Sequence, residues 1–296
     1  MYRYAIYDDE LYGAVFSETE QLGVIFQRIS RYMNAVMSGT GPAANRQSST
    51  RIAWITGGGS GIGRALALEL SGLGYRVVVS GRNREPLEQV AAQAADGEIL
   101  PMPADVTRRD ELDRVVSDIE ERLGPIQLAV LNAGAYKPMG LEAFDADLFQ
   151  QIIEVNYLGA INCLNALLPK MLDRRQGEIL ITASLSGYRG LPQAAPYGAS
   201  KAALISMAES LHPELKKQGV KLRLINPGFV RSRLTDKNDF YMPFLISPEQ
   251  AAREIVKRLP RNSFEIAFPT PFAAILKFMR CLPYKLYFHF IKRLIP

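Results

Sequence analysis

From residue 51 onward the sequence alternates short β-branched runs with longer stretches of helical periodicity, and that alternation limits the folds open to it. Ile52 to Thr56 reads as an apolar strand, and Arg64 to Leu73 as a helix with Leu66, Leu70 and Leu73 at helical spacing. The pattern repeats with a strand at Tyr75–Ser80, a helix from Arg84, a strand at Ile99–Met102, a helix at Arg109–Leu123 and a strand at Ile126–Leu131. A long helix near Ala146–Leu172, a strand at Glu178–Thr182, a helix near Tyr197–Gln218 and a strand at Val220–Ile225 follow. A helix at Pro248–Leu259 and a strand at Phe264–Phe268 close the series. Strands this apolar are covered on both faces, and strand–helix alternation brings them parallel. Right-handed crossovers then predict an α/β fold, a doubly wound Rossmann-type parallel sheet of about seven strands with helices on both faces.

The chain has 296 residues, 48% of them hydrophobic and 22% charged, which suits one large α/β domain with extensions. The domain is expected to span 51–270. Before it, residues 1–37 are mixed and aromatic-rich, and 38–50 (SGTGPAANRQSST) read as a linker, so 1–50 is expected to be a loosely ordered extension. Two cysteines, Cys163 and Cys281, supply no disulfide framework and point to a reducing, cytoplasmic setting. With His212 and His289 far apart, no metal-ligand spacing exists and no metal is expected. The first residues end in Asp8, Asp9 and Glu10 where a secretory signal needs cations and an apolar run. No run of about 18 uncharged apolar residues is present, so no membrane-spanning helix is expected. The net charge is +5, and the five cations Lys277, Arg280, Lys285, Lys292 and Arg293, with no acid from Ile266 to Pro296, account for all of it. The rest of the chain is neutral on balance, which argues against a nucleic-acid partner.

The first strand runs into Thr56-Gly57-Gly58-Gly59-Ser60-Gly61-Ile62-Gly63-Arg64. Glycines permit positive φ and close backbone approach, and the helix that follows offers free N–H groups to a pyrophosphate. Gly63-Arg64-Ala65 lacks the Lys-Ser/Thr of an NTPase phosphate loop, and no serine has the Gly-x-Ser-x-Gly setting of a hydrolase nucleophile. An NAD site wants an acid at the end of the second strand, where this chain has Ser80-Gly81-Arg82-Asn83-Arg84. An acid there would repel a 2′-phosphate, whereas Arg82 can grip one, so NADP(H) is expected ahead of NAD(H).

Tyr197-Gly198-Ala199-Ser200-Lys201 opens a helix, and residues four apart share a face. A free phenol titrates at about 10, and a neighbouring ammonium is expected to lower that value. Ser184 ends the preceding strand, at the carboxyl edge where ligands of open α/β sheets bind. Asn156 lies in mid-helix, unfavourable for an amide unless it bonds something.

Taken together these residues resemble the short-chain dehydrogenase/reductase superfamily, in its simple single-domain branch, over about Ile52–Phe268. The cofactor loop matches Thr56–Gly63, including Gly57, Ser60, Gly61, Ile62 and Gly63, and the adenine-pocket acid matches Asp105-Val106. The Asn-Ala-Gly motif matches Asn132-Ala133-Gly134, and Pro227-Gly228, Val230 and Ser232 match the nicotinamide-side segment, with Ser for the usual Thr. Ser60 stands where the family's second basic NADP marker would be. The resemblance implies hydride transfer between a nicotinamide and a small-molecule carbonyl or secondary alcohol. Tyr197 would be proton donor or acceptor, Ser184 would hold the carbonyl oxygen, Lys201 would lower the Tyr pKa and hold the ribose, and Asn156 would position a water. A homo-oligomer, dimer or tetramer, is also expected. A non-catalytic NADP(H)-binding sensor or scaffold is the alternative, against which the intact Asn156, Ser184, Tyr197 and Lys201 set argues.

Two segments lie outside that core. The loop Thr235–Ile246 carries Phe240, Tyr241, Met242, Phe244 and Leu245, and either covers a hydrophobic substrate or packs on protein. The tail, 271–296, is expected to break at Pro283 into two helices. One apolar face takes Phe272, Ile275, Leu276 and Met279, then Tyr284, Tyr287, Phe288, Ile291, Leu294 and Ile295, with cations opposite. Such a tail packs on its own domain or a second copy, or lies on a membrane surface, which would suit a lipid-like substrate.

Overall fold

A computed structural model of the chain describes residues 51–94, 98–232, 235 and 242–292. The expected extension 1–50, Phe240 and Tyr241 of the loop, and Arg293, Leu294 and Ile295 of the tail lie outside the described residues. Seven strands form one parallel sheet in the order β3-β2-β1-β4-β5-β6-β7. They are β1 Arg51–Thr56, β2 Tyr75–Ser80, β3 Glu98–Pro101, β4 Ile126–Leu131, β5 Gly177–Thr182, β6 Val220–Pro227 and β7 Glu265–Phe268. The helices are α1 Gly61–Gly72, α2 Arg84–Ala91, α3 Arg109–Arg122, α4 Ala146–Asp173, α5 Ala195–Lys217, α6 Pro248–Arg258, α7 Thr270–Cys281 and α8 Tyr284–Ile291. The strand order reverses between β1 and β4, and there the carboxyl ends diverge into a crevice.

Alternate residues of each strand feed two separate cores. Ile52 and Trp54 of β1 and Ile179 and Ile181 of β5 join α3, α4 and α5 on one face. Ala53 and Ile55 of β1 and Val130 of β4 join α1, α2 and α6 on the other. Periodicity located these elements to within a few residues. α1 begins at Gly61, since Gly61 and Gly63 take part in its first turn. The long helix is interrupted by a π turn at Glu154–Leu158. By length and apolarity α4 could cross a membrane, which the sequence reading did not anticipate, but Cys163, Leu164, Leu167 and Met171 fix it in the core of the α3/α5 face.

Pro283 divides the tail as expected, but the apolar face is split. Ala273, Leu276, Tyr287 and Ile291 are buried against the domain, whereas Ile275 (48%), Tyr284 (72%) and Phe288 (56%) remain exposed. The stripe is wider than one packing interface, so only its centre is covered. Arg189 secures the junction: its guanidinium donates to the carbonyls of Met279 (2.7 Å) and Leu282 (2.6 Å) and lies over the Tyr284 and Tyr287 rings at 4.9 and 4.0 Å. The Tyr287 hydroxyl in turn donates to the carbonyl of Gly190.

A buried ion pair sits inside this frame. Arg223 of β6 is 3% exposed, pairs with Glu178 of β5 at 2.8 Å and donates to the carbonyls of Ser263, Leu259 and Arg258. Removing the guanidinium strands a half-buried carboxylate and three carbonyl groups. Arg223→Ala should cost about 3 kcal/mol or more of stability, read from the midpoint of urea unfolding; a loss under about 1 kcal/mol would mean that the pair behaves as a surface bridge.

Candidate active site

The glycine loop packs against β4 at a distance that only hydrogen allows. Gly57 has φ +67°, and a Cβ there would lie 2.8 Å from the Ala133 Cα. A Cβ on Gly63 would overlap the carbonyl oxygen of Gly57. Gly61 also holds a positive φ of 54°, and a Cβ on it would come 3.7 Å from the Ser232 side chain, so Ser232 faces the loop across the crevice. Thr56 ties the two strand ends together, its hydroxyl accepting from the N–H of Asn132 (3.0 Å) and of Ala133 (3.1 Å). The Asn132 amide donates to the carbonyls of Thr56 and Gly57, and Thr182 donates to its oxygen. Backbone packed this closely leaves a bare cradle at the start of α1, and an exposed Ser60 makes no side-chain cap on that helix. Such a cradle fits the pyrophosphate of a dinucleotide.

The neighbouring strand ends complete the crevice. Gly58 donates its N–H to the Ser80 carbonyl (3.1 Å), and Ala104 donates to Gly81 (3.1 Å), so the ends of β2 and β3 lean on the loop. Arg82 is exposed just beyond, with no acid from Ser80 to Arg84. Asp105 accepts from the Thr107 N–H and hydroxyl, and its own N–H donates to Glu111. Val106 is buried against Gly159. On the far side Val230 bridges to Ile246, and Ser232 and Thr235 bond each other.

Two of the four expected catalytic side chains stand beside Gly134, where a Cβ would lie 3.3 Å from the Asn156 oxygen and 3.7 Å from Lys201 Nζ. Ser184 caps a short turn after β5; its hydroxyl accepts from the Ser186 N–H and stands 3.4 Å from the Pro227 carbonyl. The Ser184 hydroxyl faces the Tyr197 phenol and favours its ionised form. Lys201 Nζ lies 5.5 Å from the Tyr197 ring centre and donates to the Thr182 carbonyl at 2.7 Å. Asn156 sits on the π turn, which rotates its amide inward: it accepts from the Ala135 N–H (2.7 Å) and donates to the Ala135 carbonyl (3.0 Å) and the Ser200 hydroxyl (2.9 Å). The mid-helix amide thus has its partners, and they are protein groups that join the β4 loop to α5.

The electrostatics depart from the expectation in one respect. Burial pushes the Tyr197 phenol up to about 12, against the opposing Ser184 hydrogen bond, and burial pulls the Lys201 ammonium down to about 7. For Tyr197 burial is the largest cause and raises the value, where the sequence leads to an expectation of lowering by Lys201. Sequence reasoning passed over several supports: Thr56, Thr182, Ser200, Ala135 and Tyr136, whose ring meets Tyr197 edge-on at 5.0 Å. Ser200 lies within the Tyr-x-x-x-Lys run, which is a usable signal; Ala135 acts through its backbone and leaves none.

Known proteins show the same arrangement of chain. The sequence profile of the short chain dehydrogenase family matches residues 51–240. A Myxococcus xanthus protein described as an uncharacterized oxidoreductase is 37% identical over 243 residues, 81% of this chain and 96% of its own length. A Staphylococcus aureus protein described the same way is 35% identical over 213 residues, 72% of this chain and 92% of its own. Among solved structures, a variant of the actinorhodin polyketide ketoreductase with NADPH matches with a TM-score of 0.69 and 25% identity over 75% of this chain and 97% of that one. A short chain dehydrogenase/reductase from Burkholderia phymatum in complex with NAD matches at 0.70 and 24%, over 77% of this chain and 92% of that one, a likeness of fold.

The buried ammonium generates a pH test. An unfolded lysine titrates at about 10.4, and the folded Lys201 at about 7. Between these values the unfolded chain binds the extra proton, so stability rises with pH across the window and levels off above it. Lys201→Met should flatten that rise. Urea midpoints at pH about 7.5 and about 9.5 measure it, and an unchanged slope would place Lys201 outside the cause.

Proposed function

Because the chain belongs to the short-chain dehydrogenase/reductase family, we propose that it is an NADP(H)-preferring oxidoreductase that interconverts a carbonyl and a secondary alcohol on a hydrophobic small molecule. The observation that carries this reading is the grouping of Ser184 with Tyr197, and of Tyr197 with a Lys201 that reaches Gly134 beyond the glycine cradle. The cofactor would lie with its pyrophosphate on Gly57–Gly63, its adenine ribose toward Arg82 and Asp105, and its nicotinamide ribose toward Lys201. When bound, it supplies or takes up the hydride. Gly228, Val230 and Ser232 would border its nicotinamide.

The protein's part is proton transfer and orientation. The substrate oxygen accepts hydrogen bonds from Ser184 and Tyr197, which polarise the carbonyl. A phenol held near 12 keeps its proton at neutral pH and so starts as the donor in reduction. As Tyr197 gives up that proton, the phenolate forming beside Lys201 restores the ammonium, and the exposed side of the crevice supplies the replacement proton. Asn156 keeps Ala135 and Ser200 in place and thereby the Tyr197 turn; an ordered water would use the second lone pair of its oxygen. Stacked aromatics beside the crevice support a hydrophobic substrate: Phe272 lies 5.6 Å from Phe229 and 5.9 Å from Phe244, next to Gly228. The reading extends to a cytoplasmic homo-oligomer that touches a membrane surface through residues 271–296.

Tyr197→Phe removes only the phenol oxygen. NADPH binding should stay near normal while ketone reduction, followed at the nicotinamide absorbance, falls about 10²–10⁴-fold; retention of more than about a tenth of the rate would rule out Tyr197 as donor. A parent that binds NADPH yet turns over no carbonyl across lipid, steroid and aromatic panels would instead be a scaffold.

Arg82 tests the cofactor choice. NADPH should bind the parent more tightly than NADH, and Arg82→Ala should weaken NADPH about tenfold or more, the worth of a charge-assisted contact of about 1.5–3 kcal/mol, with NADH little changed. Equal affinities of the parent for the two cofactors in a titration would overturn the preference.

A further inference from the structure

The second tail helix turns its charges outward. Tyr287 and Ile291, one turn apart and buried, mark the side of α8 that faces the domain. At 3.6 residues per turn Lys285, His289 and Lys292 fall on the opposite side, and all three are exposed. Between the two sides run apolar shoulders, Tyr284 and Phe288 on one and Leu286 and Phe290 on the other. The Tyr284 and Phe288 rings stack at 5.8 Å. Phe278 of α7 is 67% exposed as well. Six of the twelve large apolar side chains exposed among the described residues lie in α7 and α8. A concentration of this kind marks an interaction site.

We propose that α7 and α8 dock the protein on an anionic lipid surface, with the outward lysines on the headgroups and the aromatic shoulders sunk beside them. This deepens the reading of the protein as an oxidoreductase by naming the surface that presents its hydrophobic substrate. Two arguments choose lipid over protein. The first is charge. From Ile266 to Pro296 the chain has five cations and no acid. Lys277 is paired with Glu265 and Arg280 lies 4.0 Å from Glu209, both acids of the domain, while Lys285 and Lys292 point away from it. A twofold contact between copies would set equivalent patches against each other and so bring like charges together. The second is the mixture of side chains. Lysines flanked by Tyr and Phe match the headgroup–acyl boundary, where a cation and a ring edge are both satisfied.

The position of the helices gives this docking a use. Phe272, in the first turn of α7, packs on Gly228 and stacks with Phe229 and Phe244. Gly228 follows Pro227, whose carbonyl stands by the Ser184 hydroxyl. The docking helices therefore start at the crevice, and a substrate leaving the lipid meets apolar rings on its way to Ser184 and Tyr197.

The test uses the full chain with vesicles of phosphatidylcholine alone and of phosphatidylcholine mixed with phosphatidylserine, by co-sedimentation at low and high salt. Binding to the mixed vesicles, weakened by salt and weak on phosphatidylcholine, is expected. Each lysine near an anionic surface strengthens partitioning about fivefold. Lys285→Ala with Lys292→Ala, both exposed positions, should therefore lower it about twenty-five-fold. That pair should leave NADPH-driven reduction of a water-soluble ketone unchanged and slow reduction of a long-chain ketone embedded in the mixed vesicles. Phe288→Ser with Phe290→Ser should weaken binding on its own. A parent chain that stays in the supernatant, or a lysine pair that binds like the parent, overturns the proposal, as does a parent that only self-associates through this face. Vesicle binding without turnover of either ketone would sink the oxidoreductase reading and leave the docking intact.

Discussion

The crevice exists because side chains are missing from the turn after β1 and from the first turn of α1. Gly57 lies so near Ala133, and Gly63 so near the Gly57 carbonyl, that a methyl at either position would drive the loop off β4. This approach lets the Thr56 hydroxyl satisfy two N–H groups of the β4 end and lets the Asn132 amide reach back to the loop. The strand ends on either side of the topological reversal are thereby fixed to each other. β5, through Thr182, is registered to the same Asn132, and Lys201 is anchored in turn on the Thr182 carbonyl. The positions of the Tyr197–Lys201 helix and of the glycine loop thus descend from one tight backbone contact.

On that frame the Tyr197 phenol and the Lys201 ammonium are set in a dry environment that favours their neutral forms. The phenol is pushed up and the ammonium pulled down, both by burial. A low-dielectric site strengthens any charge that forms next to a fixed opposite partner. Proton loss from Tyr197 and proton gain by Lys201 therefore help each other, although neither ion is favoured alone. The π turn contributes the third element. It turns Asn156 toward Ala135 and Ser200 and joins the β4 loop to the N-terminal turn of α5.

The fold and the site were legible to different depths. Strand and helix positions followed from the alternation, because strands covered on both faces must be apolar throughout, as Val77–Val79 and Ile179–Ile181 are. Tyr197 and Lys201 could be named from their spacing, Ser184 from its place at a strand end and Asn156 from its place in mid-helix, the family resemblance supplying their roles. The direction of the Tyr197 shift was misjudged, since a sequence shows that a lysine is near but not that it is buried and bonded to Thr182. The tail was read as one apolar stripe facing one way. A helix pattern gives the width of a stripe, and only packing tells how much of it the domain consumes; here Leu276 and Tyr287 went inward while Phe278 and Tyr284 stayed out. Backbone partners such as Ala135 are silent in any pattern of side chains.

Arg189 sits in the connection that leaves Ser184 and the turn after it, before α5 begins, yet its guanidinium closes the end of α7 and lies under two rings of α8. Chain ends are usually where a gene tolerates extension, fusion or loss, because little depends on them. In this protein α7, α8 and the connection after Ser184 share an arginine, so the three are coupled. A substitution that unseats α7 or α8 is therefore felt at once in the segment that follows Ser184, far away in sequence.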